Sequence, residues 1–436
     1  MGLNLLYAND RAGAYPQSWY AATAEAPGPY PAVEGEVTAD VAVVGAGFTG
    51  LSSALHLAER GLKVVLIEAH RVGFGASGRN GGQLGTGQRV DQMTLEKLVG
   101  RDDARKLWAL AEGSKDLVKT LVAKHDIPCH LKPGIAHLCY TQDEVDEEHA
   151  HADYLAEHYD YPHLEKLDRS ATQAVCPSPR YIGGSLDMQA GHVHPLALAF
   201  GLARAAEAAG AKIFETTEVY DIDPGARVRI RTSGGTVWAD HAILACNGYL
   251  GGLNPQVGAR VMPINNFIAA TEPLGDDAAR VLAQDVAVAD TKFVLNYFRL
   301  SHDKRLLFGG GETYRYRFPS DIAELVRRPM SKVFPHLKDV KIDYAWGGTL
   351  AITMRRLPYL TRLSPTILSA SGYSGHGVGM ATFSGKLLAD AIAGEAEGFD
   401  TMARIPTLPF PGGTTFRSPV LMLAMTWFAL RDRLGV

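Results

Sequence analysis

The stretch "VVGAGFTGLSSALHLAERGLKVVLIEAH", Val43 to His70, limits what this chain can fold into more than any other part of it. A short apolar run ends in glycines. Leu51, Ala54, Leu55 and Ala58 then follow the helical period, Gly61 ends the helix, and "LKVVLIEA" reads as a second buried strand. Two parallel strands joined by a helix take a right-handed crossover, so a parallel sheet begins here. Gly45, Gly47 and Gly50 form GxGxxG at the strand–helix junction. The first glycine allows the tight turn, the second lets backbone approach a pyrophosphate, and the third lets helix and strand pack closely. The helix N-terminus offers N–H groups and partial positive charge to phosphates, and Glu68 stands where a carboxylate accepts hydrogen bonds from a ribose. Gly45, Ala46, Gly47, Phe48, Thr49, Gly50, Glu68 and Ala69 are therefore expected to hold the adenosine half of a dinucleotide. NAD and FAD both satisfy this pattern.

A chain of 436 residues is long for one core, so two domains are expected. A net charge of −4 with no concentrated basic field argues against nucleic acid as a partner. Cys129, Cys139, Cys176 and Cys246 are scattered without zinc-ligand spacing or a disulfide framework, which fits a reducing cytoplasm and no metal site. His149, His151 and His158 read as surface histidines of an acidic helix, and His192 and His194 as part of a turn before a helix. The first 36 residues lack the pattern of a signal peptide and read as an arm over a folded surface. "PVLMLAMTWFAL", Pro419 to Leu430, falls short of the roughly 18 residues of a membrane span. It is expected as a C-terminal helix packed on the protein or on a partner subunit, with peripheral membrane contact as the alternative.

Two textures alternate along the chain. Glycine-punctuated α/β segments at 37–90, 182–258 and 345–410 are expected to form a discontinuous dinucleotide domain. The intervening 91–181 and 259–344, with helices and alternating strands, are expected to form a substrate domain around an antiparallel sheet. Within the first of these, "CHLKPGIAHLCYT" reads as a strand pair. Residues 411–436 form the tail.

Two distant pieces favour FAD. "VGFGASGRNGGQL", Val72 to Leu84, follows the second strand and is too glycine-rich for the crossover helix an NAD enzyme continues with. Such a loop can follow a ribityl chain with bare backbone. "SASGYSGHGVGMATFSGKLLADAI" repeats strand, glycine turn and helix near the other end of the chain. These motifs resemble the glycine/D-amino-acid oxidase family of flavoproteins over nearly the whole chain, in the right order. The resemblance implies an α/β protein, a Rossmann-like FAD-binding domain interleaved with an antiparallel-sheet α+β substrate domain. It places Gly75, Ala76, Ser77, Asn80, Gly81, Gly82 and Gln83 along the cofactor, Val219 at the adenine, Cys246, Asn247, Gly248 and Tyr249 in a loop near it, and Gly348, Gly375, His376, Gly377, Val378 and Met380 beside the flavin. A helix N-terminus there would stabilise negative charge on reduced flavin.

"GASGRNGGQ", "YAWGGTLAIT" and "GYSGHGV" resemble a narrower subgroup that oxidises a primary amine on a polyamine derivative. The resemblance implies oxidation of gamma-glutamylputrescine or a similar amine by hydride transfer to non-covalent FAD, giving an imine and then an aldehyde, with oxygen or another electron acceptor. Where some sarcosine-oxidising relatives carry arginines, Gly81, Gly82 and Gln83 stand here. His376 and Tyr373 are candidate catalytic residues, and Trp346, Arg299 and Arg356 candidates for substrate binding. The alternatives are a D-amino-acid dehydrogenase feeding a quinone and a flavin-binding module without turnover.

Overall fold

A computed structural model describes residues 4–292, 294–313 and 316–412. The expected helix at Pro419 to Leu430 lies outside the described residues. Two sheets organise the rest, of eight and nine strands among the described residues.

The first sheet grows from the sequence's strand–helix–strand unit. Gly35–Val44, the helix Phe48–Glu59 and Val64–Ile67 follow one another, with Val41 to Val44 paired in parallel with Val64 to Ile67. On one side Lys212–Phe214 adds to Val64–Ile67; on the other, Gly235–Leu244 lies parallel to Gly35–Val44. Gly235–Leu244 is long enough to serve two neighbours. Its start carries the antiparallel hairpin of Val219–Asp223 and Val228–Thr232, and its end pairs in parallel with Ile367–Ser371. All four residues of Val64–Ile67 are buried, as strands covered on both faces must be.

Three helices cover one face: Phe48–Glu59, Pro195–Ala208 and Gly377–Ile392. The first and last approach very closely because Gly385 has no side chain. A Cβ there would lie 2.4 Å from Thr49 O, and Ser53 Oγ donates to Gly385 O at 3.0 Å. Residues more than 300 apart in sequence are thereby locked together.

The second sheet runs Ile342–Ile352, Met262–Thr271, Leu306–Thr313, Tyr297–Leu300, Ala287–Asp290, Lys132–Cys139, Gly183–His192, Gln83–Leu84. Its pairs are antiparallel except Ala287–Asp290 with Lys132–Cys139. Two expectations need correction. Gly183–His192 and Ile342–Ile352, assigned wholly or partly to the dinucleotide segments, are strands of this second sheet. Glycine content marks close backbone approach, not membership of one sheet. The expected strand pair in "CHLKPGIAHLCYT" is the single strand Lys132–Cys139. Pro133 and Gly134 make a bulge rather than a hairpin turn: the register shifts between Pro133 and Ile135, and Gly134 has φ +99°.

From Asn4 on, the N-terminal residues are bonded to the rest of the chain, Asn4 Nδ2 and Tyr7 Oη both to the Glu218 carboxylate. A short helix, Trp19–Thr23, is capped by Ser18 and buries Trp19 and Tyr20 almost completely.

Candidate cofactor and active site

The glycine turn is built as its spacing requires. Gly45 has φ +103°, and a Cβ on it would lie 2.8 Å from Ala245 O. A Cβ on Gly50 would lie 1.8 Å from Gly45 O, so only glycine lets the helix start this close to the turn. Gly47 is the helix N-cap and brings no capping side chain. Glu68 follows the second strand, and its carboxylate accepts the N–H groups of Ala46 at 2.8 Å and His70 at 2.9 Å. Burial raises the Glu68 pKa, and these backbone donors oppose the rise.

The loop after Glu68 folds back onto this turn. Ser77 Oγ accepts the Phe48 N–H at 2.9 Å, joining the one-turn helix Ala76–Gly78 to the helix N-terminus. Asn80 Nδ2 donates to Ala76 O and Ser77 O, while its Oδ1 accepts the Gly82 N–H, so one side chain staples the whole bend. Gln83 Nε2 donates to Val288 O in the second sheet.

Other segments converge on the same place. Asn247, at φ +46°, accepts the Gly372 N–H at 3.0 Å. Gly248 packs on Leu350, and Gly348 on the Arg79 side chain. Tyr249 lies against Gly75. Thr217 N–H donates to Glu68 O at 2.9 Å, which ties the segment leading into Val219–Asp223 to the end of the second strand. Half-buried Ala69 sits between Glu68 and His70. The helix Gly377–Ile392 starts without a side-chain cap, with His376 at its N-cap and Gly375 at φ +92°; Val378 and Met380 are buried in its first turn.

Two helices from opposite ends of the chain thus bring their N-termini to one site, Gly377–Ile392 without a side-chain cap and Phe48–Glu59 capped only at Phe48 by Ser77. Each offers N–H groups that have no intrahelical acceptor. Tyr249 Oη and His376 Nε2 are buried with no hydrogen-bond partner among the described residues. Bare glycine backbone, unclaimed donors and two positive helix ends fit a long anionic dinucleotide carrying a polar ring system.

The sequence's catalytic and substrate candidates fare unevenly. His376 is at the site, its ring against Gly85, where a Cβ would lie 2.7 Å from Cε1. Burial first, then the charges of Arg89 and Lys115, lower its pKa to about 4. Tyr373 is committed elsewhere: its buried hydroxyl shares a 2.7 Å hydrogen bond with Thr49, linking the two cofactor helices. Burial pushes its pKa up to about 12. Arg299 is spent on the protein itself, with Nε on Gly81 O and Nη2 on Val193 O, both at 2.9 Å. It props the cofactor loop, and no side of its fork is left for a carboxylate. Trp346 is core: Nε1 donates to Arg79 O at 3.1 Å and its ring packs edge-on against Tyr20. Arg356, at φ +57°, lies at the turn between Ile342–Ile352 and Tyr359–Ser364.

Some residues here were not singled out from sequence. Tyr297 lies across Gly81 and Gly309, with its hydroxyl on Asn266. Beneath the loop that touches His376, Lys115 Nζ donates to Thr86 Oγ1, Tyr161 Oη and Glu112, while Asp187 accepts from Thr86 and Tyr161. Glu112 also accepts the Gly87 N–H. No spacing rule joins residues so far apart. The histidines behave as structural groups: His194 caps Pro195–Ala208 by accepting the Ala197 N–H, and half-buried His149 bonds Gly184 O. Among the described residues no three His, Cys, Asp or Glu side chains cluster as metal ligands.

The fold and this site define a dinucleotide-binding protein. Residues 40–391 match the DAO family of FAD dependent oxidoreductases, and the chain belongs to that family. It is 43% identical to the probable oxidoreductase OrdL of Rhizobium meliloti, covering 95% of this chain and 97% of that one. It is 41% identical to the gamma-glutamylputrescine oxidoreductase of Escherichia coli, covering 96% and 99%. The fold is shared with glycine oxidase from Geobacillus kaustophilus, at a TM-score of 0.69 and 24% identity over 82% of this chain and 95% of that one. This chain is therefore an FAD-dependent oxidoreductase.

Proposed function

We propose that this enzyme oxidises a primary amine, gamma-glutamylputrescine or a close analogue, to an imine that hydrolyses to an aldehyde. The convergence of two helix N-termini on one glycine-lined site carries the reading, and the relationship to the Escherichia coli enzyme supports the substrate. Bound FAD would take the hydride from the carbon bearing the amine. The helix Phe48–Glu59 and Ser77 would hold the phosphates, and the N–H groups at the start of Gly377–Ile392 would be available to the flavin ring.

His376 is a hydrogen-bonding group in this scheme, not the base. An alkylammonium has a pKa of roughly 10, against about 4 for His376. Proton transfer from a solvated alkylammonium to so weak a base is unfavourable. The amine instead reaches the neutral form by losing its proton to solvent as the cleft desolvates it. Cys246 Sγ contacts Val44 O and burial raises its pKa to about 12, which supports non-covalent FAD. The four cysteines are free, in keeping with a cytoplasmic setting, and no helix among the described residues is long and apolar enough to cross a membrane.

The test is product analysis with gamma-glutamylputrescine, putrescine, glycine, sarcosine and D-alanine, scoring aldehyde, ammonia and peroxide. Aldehyde and ammonia from gamma-glutamylputrescine support the reading. Keto acid from D-alanine alone would replace it with the amino-acid reading. Peroxide in air identifies oxygen as acceptor; product formed only with an added dye acceptor identifies a dehydrogenase.

A further inference from the structure

Residues 4–33 precede the family match at 40–391, yet they are bonded to the segments that hold the cofactor. Asn4 Nδ2 and Tyr7 Oη donate to the Glu218 carboxylate at 3.1 and 2.8 Å. His70 is held from two sides, Nδ1 accepting the Gly13 N–H and Nε2 donating to Leu6 O. Tyr15 Oη donates to Val72 O. Between these contacts Asp10 meets Arg79, whose Nη1 lies 3.1 Å from both carboxylate oxygens.

Arg79 sits inside the "GASGRNGGQ" loop, with its side chain 1% exposed. Nε donates to Phe74 O at 2.7 Å, Nη1 also to Gly347 O at 3.1 Å, and the guanidinium carbon lies 4.4 Å from the centre of the Phe74 ring. One group is left over: Nη2 is buried without a partner among the described residues. A guanidinium is always charged and all its nitrogens donate, so a buried one with nothing to bond is costly. The fork is held on three sides, and its Nη2 is the one nitrogen left without an acceptor among the described residues.

We propose that Arg79 is a cofactor-binding residue, donating through Nη2 to an acceptor oxygen of bound FAD, and that Asp10 on the N-terminal arm is its positioning residue. This rests on the cofactor site described above. The arm is then part of that site, although it lies outside the family match.

The test is FAD affinity of the full-length apoprotein, followed by flavin fluorescence without substrate, for wild type, Arg79→Met, Asp10→Asn and the double variant. Losing a charge-assisted hydrogen bond predicts FAD binding weakened about tenfold in Arg79→Met. Asp10→Asn should weaken it too, and the double variant should be no worse than Arg79→Met alone, because Asp10 acts through Arg79. Arg79→Lys, which keeps the charge and loses the fork, should resemble Arg79→Met, and Asp10→Glu should recover wild-type affinity. These two variants carry the comparison if the larger changes prevent folding. Unchanged affinity in Arg79→Met and Arg79→Lys would overturn the proposal, as would additive losses in the double variant. A wild-type protein that binds no FAD would instead refute the site reading itself.

Discussion

Gly50 offers the sharpest test of how the cofactor turn is built. Alanine there would put a Cβ 1.8 Å from Gly45 O. A normal carbon–oxygen contact needs about 3.3 Å, so helix and turn must separate by roughly 1.5 Å. Neither partner can yield easily. Gly45 is fixed at φ +103° against Ala245, and the helix is clamped from behind by Gly385. Overpacking of side chains costs about 1–3 kcal/mol; this contact is with backbone, so the upper end is the expectation. The same displacement pulls Phe48 N–H from Ser77 Oγ and shifts the helix N-terminus that would face the dinucleotide. Gly50→Ala should therefore purify nearly colourless and bind added FAD at least a hundredfold more weakly. Gly61→Ala is the control. Nothing lies within 4 Å of its Cβ, and its φ of +82° adds only backbone strain, about 1–2 kcal/mol. It should melt lower yet bind FAD normally. Flavin fluorescence titration and thermal melting of both apoproteins read the two effects apart. A yellow Gly50→Ala protein with wild-type affinity would refute the packing argument.

Other outcomes follow from the same contacts. Tyr373→Phe deletes the hydrogen bond to Thr49 and should cost about 1 kcal/mol in urea unfolding while leaving turnover within a few-fold; a collapse of turnover with intact FAD binding would restore Tyr373 as a catalytic residue. Lys115→Met leaves Glu112 without its cation and Thr86 and Tyr161 without a donor, and should destabilise the protein by about 2–3 kcal/mol in urea unfolding, more than Tyr161→Phe. Burial lowers the pKa of His376 to about 4 and of His192 and His194 to about 3, below the 6.5 of an unfolded histidine. The unfolded chain then binds more protons, so this stability is complete above pH 6.5 and is lost as pH falls from there to about 4 for His376 and about 3 for His192 and His194. The melting temperature should decline over that window, and less steeply in His194→Asn, which keeps a capping oxygen. Acid precipitation should release all of the FAD into the supernatant; flavin left in the pellet would show a covalent link.

Much of the fold was legible because local rules and tertiary packing agree. The first strand–helix–strand unit needed only its glycines and apolar period. The distant glycine turn near His376 repeats that grammar, so the strand Ile367–Ser371 and the helix Gly377–Ile392 could also be read from a short motif. Sheet membership was harder to read. Gly183–His192 carries glycines for a different reason: a Cβ on Gly184 would meet His137 O at 2.0 Å, so the residue serves strand pairing in the second sheet. The individual roles of Arg299 and Tyr373 were hidden as well. Both were reasonable candidates by type and position, but what a guanidinium or phenol bonds depends on partners such as Gly81, Val193 and Thr49, far away in the chain. The Lys115 network was invisible for the same reason, since its members come from separate helices, strands and loops.

The central claim is that this cleft delivers an amine to FAD. Anaerobic addition of gamma-glutamylputrescine to the purified protein tests it most directly. The account predicts that the yellow colour bleaches with one equivalent of substrate per flavin and that aldehyde forms in the same amount. A flavin that stays oxidised with this substrate and with every other amine offered would contradict it.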